Sequence, residues 1–295
     1  MTLVAFLLAY VIRRRLDSVN RLSGDRLWRA WFQRYTVAGA GEETSVRGGI
    51  IKVVVPAVAL ALMAYLAGAW GMRAALFPLD VFMLVALMGA PGWKTPLALY
   101  SDAWQRGDMQ AAWRHIEQQL PAEDRGAALS PEAMHLSLSK ALMLSVFYRF
   151  FLVAFWYFVG GIALAFLARG LVALSDHWPQ APARPAFRRW ANLVAWLPVR
   201  LLACTFGLAG DLAGWSRDIR RVLPGFGKSV AYVLSVAANG SLTGYALDPQ
   251  RFSTLHPDEW PSFGGRSLTA IRDLLNRSML VWICGAALLV IAGVL

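Results

Sequence analysis

Apolar residues run through this chain in stretches long enough to cross a bilayer, separated by short polar or basic segments. A helix needs about 20 apolar residues to span the ~30 Å hydrocarbon core. Ile50–Trp70 meets that length, with Lys52 placed to snorkel at its start. Ala74–Ala90 follows after only Gly71-Met72-Arg73, so the two runs predict a helical hairpin with Pro78 and Asp80 in the first turns of its second arm. Leu142–Ala168, Asn192–Leu212 and Met279–Leu295 complete the set. The predicted spans are therefore residues 50–70, 74–90, 142–168, 192–212 and 279–295. The opening run Thr2–Ile12 is about half that length and stops at Arg13-Arg14-Arg15. Its basic residues follow the apolar stretch and no small-residue cleavage site is evident, which is the pattern of a short, half-buried helix and not of a signal peptide.

The segments between the spans differ in character. In the segment 92–140, Leu97, Tyr100 and Trp104 recur at helical spacing after Pro96, and Gly107-Asp108 breaks the run with Asp108 as an N-cap. Met109, Trp113, Ile116 and Leu120 then mark a second amphipathic helix, and Ser130-Pro131-Glu132 starts a third. The segment 214–278 reads as a long loop, because Asn239-Gly240, Asp248-Pro249, His256-Pro257, Trp260-Pro261 and Gly264-Gly265 crowd turn dipeptides into residues 239–266. Thr269–Asn276 reads as a helix leading into the last span.

Composition agrees with the pattern. Of 295 residues, 57% are hydrophobic and only 16% are charged, against about 25% charged in an average soluble domain. The mean hydropathy is +0.47. A soluble enzyme and a disordered chain are both disfavoured, and the sequence predicts one all-α, polytopic membrane domain over residues 1–295. The net charge of +11 would suggest nucleic acid in a soluble protein. Here the basic residues flank apolar runs, so the positive-inside rule accounts for them and no nucleic-acid partner is implied. With Arg13–Arg47 cytoplasmic, segments 92–140 and 214–278 are cytoplasmic as well. That orientation leaves Arg73 and the Arg169–Arg189 connection on the opposite side, and the basic connection fits there poorly.

Few motifs carry chemistry. Gly225-Phe-Gly227-Lys228-Ser229 resembles the end of a phosphate-binding loop, but Val222 stands where the first glycine is needed, so a basic turn is the better reading. His115, His135, His177 and His256 are isolated from one another, and Ser175-Asp176-His177 cannot form a relay from adjacent residues. Cys204 and Cys284 read as small buried hydrophobes without a metal or disulfide pattern. No catalytic residue, metal site or cofactor is predicted. Gly207, Gly210 and Gly214, with Gly160 and Gly161, are candidate helix-packing positions, within the subunit or across a homodimer.

Ionisable groups inside apolar runs are the informative residues, because charge at membrane depth is costly and is a functional hypothesis by default. Arg149, Arg200 and Asp80 are the leading ligand-binding candidates, with Tyr148 and Asn192 beside them and Asp211 as a possible ion partner. Two arginines facing one cavity would hold a phosphate or carboxylate through paired hydrogen bonds.

Phe147-Tyr-Arg149-Phe-Phe-Leu-Val-Ala-Phe-Trp156-Tyr-Phe-Val-Gly160-Gly161 and Trp196-Leu-Pro198-Val-Arg200-Leu201 resemble the AmpE family of membrane proteins. The Met1-Thr2-Leu3 opening, the Trp28–Phe32 segment and the apolar C-terminal end fit that resemblance, which extends over essentially the whole chain. It implies an inner-membrane sensor or accessory protein in β-lactamase regulation and cell-wall recycling, with the amidase AmpD as the implied partner pathway. The AmpE family in turn is similar to the CobD/CbiB family, membrane enzymes that use ATP to form an amide in cobalamin synthesis. Gly107-Asp108 with Ala112 and Arg114, Phe155-Trp156, Trp196-Leu-Pro198-Val-Arg200 and Ile271-Arg272-Asp273 match its pattern. Its acidic run Glu-Asn-Thr-Val-Asp-Gly is replaced here by Leu144, Ser145, Val146, Phe147, Tyr148 and Arg149, and Ala191 and Asn192 stand near its second acidic position. A nucleotide-using ligase needs carboxylates for Mg²⁺. The resemblance therefore implies the fold without the chemistry. A divergent amide synthase using nucleotide and Mg²⁺, and a ligand binder or transporter, are the alternative readings.

Overall fold

The computed structural model describes residues 1–19, 24–33, 46–89, 92–121, 124–125, 130–220, 227–242 and 246–293, and every regular element among them is helical. The chain begins with α1 (Thr2–Val19), α2 (Gly24–Gln33), α3 (Val46–Ala69) and, after a 3-10 turn at Arg73–Leu76, α4 (Phe77–Leu87). Next come α5 (Lys94–Gln105), α6 (Met109–Ile116) and α7 (Pro131–Val146), which passes through a π-helical turn at Phe147–Phe151 into α8 (Leu152–His177). The remainder is α9 (Arg184–Ala209), α10 (Leu212–Ile219), α11 (Val230–Ser241), α12 (Pro249–Leu255) and α13 (Trp260–Ile291).

Among the described residues, four helical stretches are long and apolar enough to cross a membrane: Val46–Ala69, Pro131–His177, Ala181–Ala209 and Pro257–Ile291. The expected span at 74–90 is not among them. Pro78 starts α4 in its first turn and Met88 ends it after 11 residues, a length of about 16 Å. The expected long loop within 214–278 is likewise mostly helix among its described residues. Asn239-Gly240 lies inside α11, Asp248-Pro249 supplies the cap and first residue of α12, and Trp260-Pro261 opens α13. The same dipeptides that make turns also start helices, since Asp caps the first amide groups and Pro needs no donor there. Gly264 survives inside α13 because the Trp104 indole lies against it; a Cβ would stand 2.7 Å from Cγ of that ring. The expected start signals at Asp108 and Ser130 both function, each side chain accepting from the amide three residues on.

The chain forms two compact units. The first comprises residues 1–91, 148–198 and 286–295; the second comprises residues 92–147 and 199–285. In the first unit α1 packs on α4, while α2, α3 and α4 pack on α8. Phe6 is fully buried against Phe150, Tyr157 and Phe158. The outer face of α3 is apolar and exposed at Ile51, Val55, Val58, Leu62 and Tyr65, a surface suited to lipid and costly in water. The second unit is built on α5–α6 and α10–α11 contacts, with α7 against α11 and α12. Its core is aromatic, with Trp104 in contact with Tyr100, Trp260 and Phe263.

The α8 segment is not one straight rod. Gly160 (φ −149°, ψ 27°) and Gly161 (φ 70°, ψ −165°) have non-helical backbone, and Gly161 occupies a region that a side chain would strain. Arg149 and Arg169 both donate to the Asp25 carboxylate, although 20 residues of straight helix would hold them about 30 Å apart. The chain therefore turns back at the glycine pair, and both ends of the fold-back lie at one level. The expected span 142–168 lies within the long apolar stretch Pro131–His177, which bends at the glycine pair instead of running straight. Arg169, the basic start of the connection 169–189, meets Asp25 of α2.

Candidate functional site

Asp25 is the centre of a buried ion cluster within the first unit. The amphipathic α2 places Asp25, Trp28 and Phe32 on one face, at spacings of three and four. Trp28 and Phe32 are buried against Phe166 and Trp178, which seats α2 on α8. The Asp25 carboxylate accepts from Arg149 Nη2 at 2.5 Å through Oδ2 and from Arg169 Nη2 at 3.2 Å through Oδ1. His177 Nε2 lies 3.5 Å from the same Oδ1. Arg149 also donates to the Gly89 carbonyl at 2.8 Å, fixing the end of the α4 segment to the cluster.

Local backbone geometry aims these groups. Arg149 lies within the π-helical turn, whose extra residue shifts side-chain direction relative to a regular helix. The fold-back at Gly160-Gly161 then returns Arg169 and His177 to the same carboxylate. Burial by itself would raise the Asp25 carboxyl pKa. The hydrogen bond from His177 and the positive fields of Arg149 and Arg169 outweigh it and hold the carboxyl well below the usual range. Arg169 is 3% exposed, and its Nε and Nη1 are buried without a hydrogen-bond partner.

The sequence candidates separate. Arg149 and Tyr148 belong to this cluster, with Tyr148 in the field of Asp176, Arg188 and Arg169. Asp80 belongs to a different arrangement, accepting a 3.2 Å hydrogen bond from Tyr157. Asn192 is exposed on α9. Arg200 is buried and belongs to the second unit. Asp211 is not an ion partner for Arg149 but the N-cap of α10, accepting from the Ala213 amide. Gly207, Gly210 and Gly214 do not share one helix face, because the chain breaks at Asp211 between α9 and α10. Each still meets close neighbours within the second unit: the Trp215 ring, the Ser241 carbonyl and the Gly240 carbonyl, respectively. The closest neighbour of a Cβ at Gly160 would be Leu164 of its own segment, and Gly161 has open space.

Asp25, Arg169 and His177 were not among the sequence candidates. Their signal was the apolar face of α2, on which a carboxylate sits in register with Trp28 and Phe32. Arg169 directly follows the last residue of the predicted span. Gly225 and Phe226 of the basic Gly-rich turn lie outside the described residues. Ser229 caps α11 and Lys228 lies over the Tyr232 ring.

The second unit contains a buried polar chain. Tyr100 OH meets His135 Nδ1 at 3.0 Å, and His135 Nε2 meets Ser267 Oγ at 2.9 Å. All three residues are nearly inaccessible, and Trp104 and Phe263 wall the imidazole. Burial pushes the Tyr100 phenol pKa up, so it stays protonated. A cavity of about 520 Å³ beside α5 and α13 is lined by Ser101, Gln105, Gly265, Arg266 and Asp273. Cys204 and Cys284 are free thiols. No group of three or more His, Cys, Asp or Glu side chains suited to a metal occurs among the described residues.

No protein-family model, curated protein or solved structure matches this chain.

Proposed function

We propose that this chain is an AmpE-like inner-membrane protein that senses or transmits cell-wall state in β-lactamase regulation and has no catalytic activity of its own. The resemblance of its two motif stretches to that family supplies the biological context. The observation that carries the mechanistic part is the Asp25–Arg149–Arg169–His177 cluster, which ties the separate helix α2 to a membrane-buried segment. Buried charges of this kind are expensive and mark function by default. A ligand or partner that changes the hold of Asp25 on the two arginines would bias the seating of α2 on α8. The cell-wall-recycling pathway of AmpD is the proposed downstream partner.

The test is genetic. Deletion of the coding sequence from its host should alter β-lactamase levels before or after challenge with a β-lactam, and the intact gene in trans should restore them. Unchanged basal and induced levels in the deletion would overturn the regulatory role.

A further inference from the structure

Arg169 has a chemistry that its neighbours leave incomplete. A guanidinium is permanently charged and offers five N–H donors in a fixed plane. Only Nη2 of Arg169 is engaged, by Asp25, while Nε and Nη1 are buried without a partner. Buried donors in this state are rare in folded proteins and cost free energy until an acceptor reaches them. Arg149 acts in the same field as Arg169, and Tyr148 carries a hydroxyl into it. An oxyanion is the acceptor whose charge and planar geometry match a buried guanidinium.

We propose that Arg169, with Arg149 and the Tyr148 hydroxyl beside it, binds a phosphate-type oxyanion, and that the Asp25 carboxylate is an internal competitor for that site. Asp25 holds Nη2 of both arginines, the nitrogen common to the two edges of each guanidinium, so an external anion that grips an edge displaces this carboxylate of α2. Binding shifts the arginines from Asp25 to the ligand and loosens the ionic tie of α2 to α8. The anion is either the head group of an anionic phospholipid or a free phosphorylated solute, which share this recognition chemistry. The inference names the ligand class for the cluster assigned above to sensing, and it rests on that reading.

The full chain, purified in detergent without anionic lipid, is titrated with inorganic phosphate while its thermal midpoint is followed. Separately, it is reconstituted in nanodiscs of phosphatidylcholine with or without phosphatidylglycerol and examined by native mass spectrometry. Phosphate-dependent stabilisation in detergent assigns the site to a free phosphorylated solute; stabilisation and retained lipid only with phosphatidylglycerol assign it to a head group. Either effect should vanish in Arg169→Gln. Asp25→Asn should instead tighten binding by about tenfold by removing the competitor. That second variant keeps the inference testable where Arg169→Gln fails to fold. Absence of both effects in the wild type and in Asp25→Asn, or binding that persists in folded Arg169→Gln, would overturn it. These readouts do not involve β-lactamase, so a failed ligand site is distinguishable from a failed regulatory role.

Discussion

Arg149 and Arg169 share one carboxylate, that of Asp25, although twenty residues separate them along a nominally continuous helical segment. A straight helix would place their Cα atoms about 30 Å apart, too far for both side chains to converge on one acid. The turn at Gly160-Gly161 makes the convergence possible, and it predicts that Arg29 and Asp176 are reached from one face of the membrane. With Cys204 and Cys284 replaced by serine, Arg29→Cys and Asp176→Cys should react with a membrane-impermeant maleimide from the same face of sealed vesicles. Labelling from opposite faces would remove the fold-back and with it the shared site.

Acid should dissolve the tie of α2 to α8. The folded carboxyl of Asp25 is held below its unfolded value of about 3.9. Its contribution is therefore fully present above pH ~4 and is lost as pH falls through the depressed folded pKa. Asp25→Asn should cost about 3–5 kcal/mol at neutral pH, because two buried guanidiniums lose their counter-ion. The gap in thermal midpoint between wild type and variant should narrow steadily as the pH drops below ~4. A gap independent of pH would mean that the carboxylate charge contributes nothing.

The Tyr100–His135–Ser267 chain should behave as a stabilising core element. Tyr100→Phe leaves His135 Nδ1 buried without its partner, at a cost of about 1–3 kcal/mol. Denaturation in mild detergent would register this as a lowered midpoint with unchanged helical content. A variant as stable as the parent would mean that the hydroxyl is dispensable.

Close approach of α10 to α11 should tolerate no side chain at Gly210. A Cβ there would stand 2.5 Å from the Ser241 carbonyl oxygen, which already accepts from the Asp211 amide at 2.9 Å. Gly210→Ala should destabilise by about 1–3 kcal/mol. Gly285→Ala, which meets nothing within 4 Å, serves as the comparison and should leave the thermal midpoint nearly unchanged. Equal midpoints for the two variants would show that the contact carries no constraint.

The sequence by itself determined the helical, membrane-directed character of the chain, because apolar runs of about 20 residues and the positions of basic residues are local properties. It also fixed local starts such as Asp108 and Ser130, where a capping side chain acts within four residues. It singled out Arg149, since a charge inside an apolar run is visible without a structure. What it did not determine was the partner of that charge. Asp25 lies 124 residues away, on a short helix whose amphipathic face gives its buried side but not its address. Nor did hydropathy separate a straight span from a fold-back, because Gly160-Gly161 leaves the mean hydropathy of the run intact while reversing its direction. The dipeptides of residues 239–266 were ambiguous for a related reason: Asp-Pro and Trp-Pro suit turns and helix starts equally, and packing against Trp104 and Phe252 selects between them. Tertiary structure decided these points because they depend on which distant surfaces meet, and long-range contacts are not encoded in any single stretch of the chain.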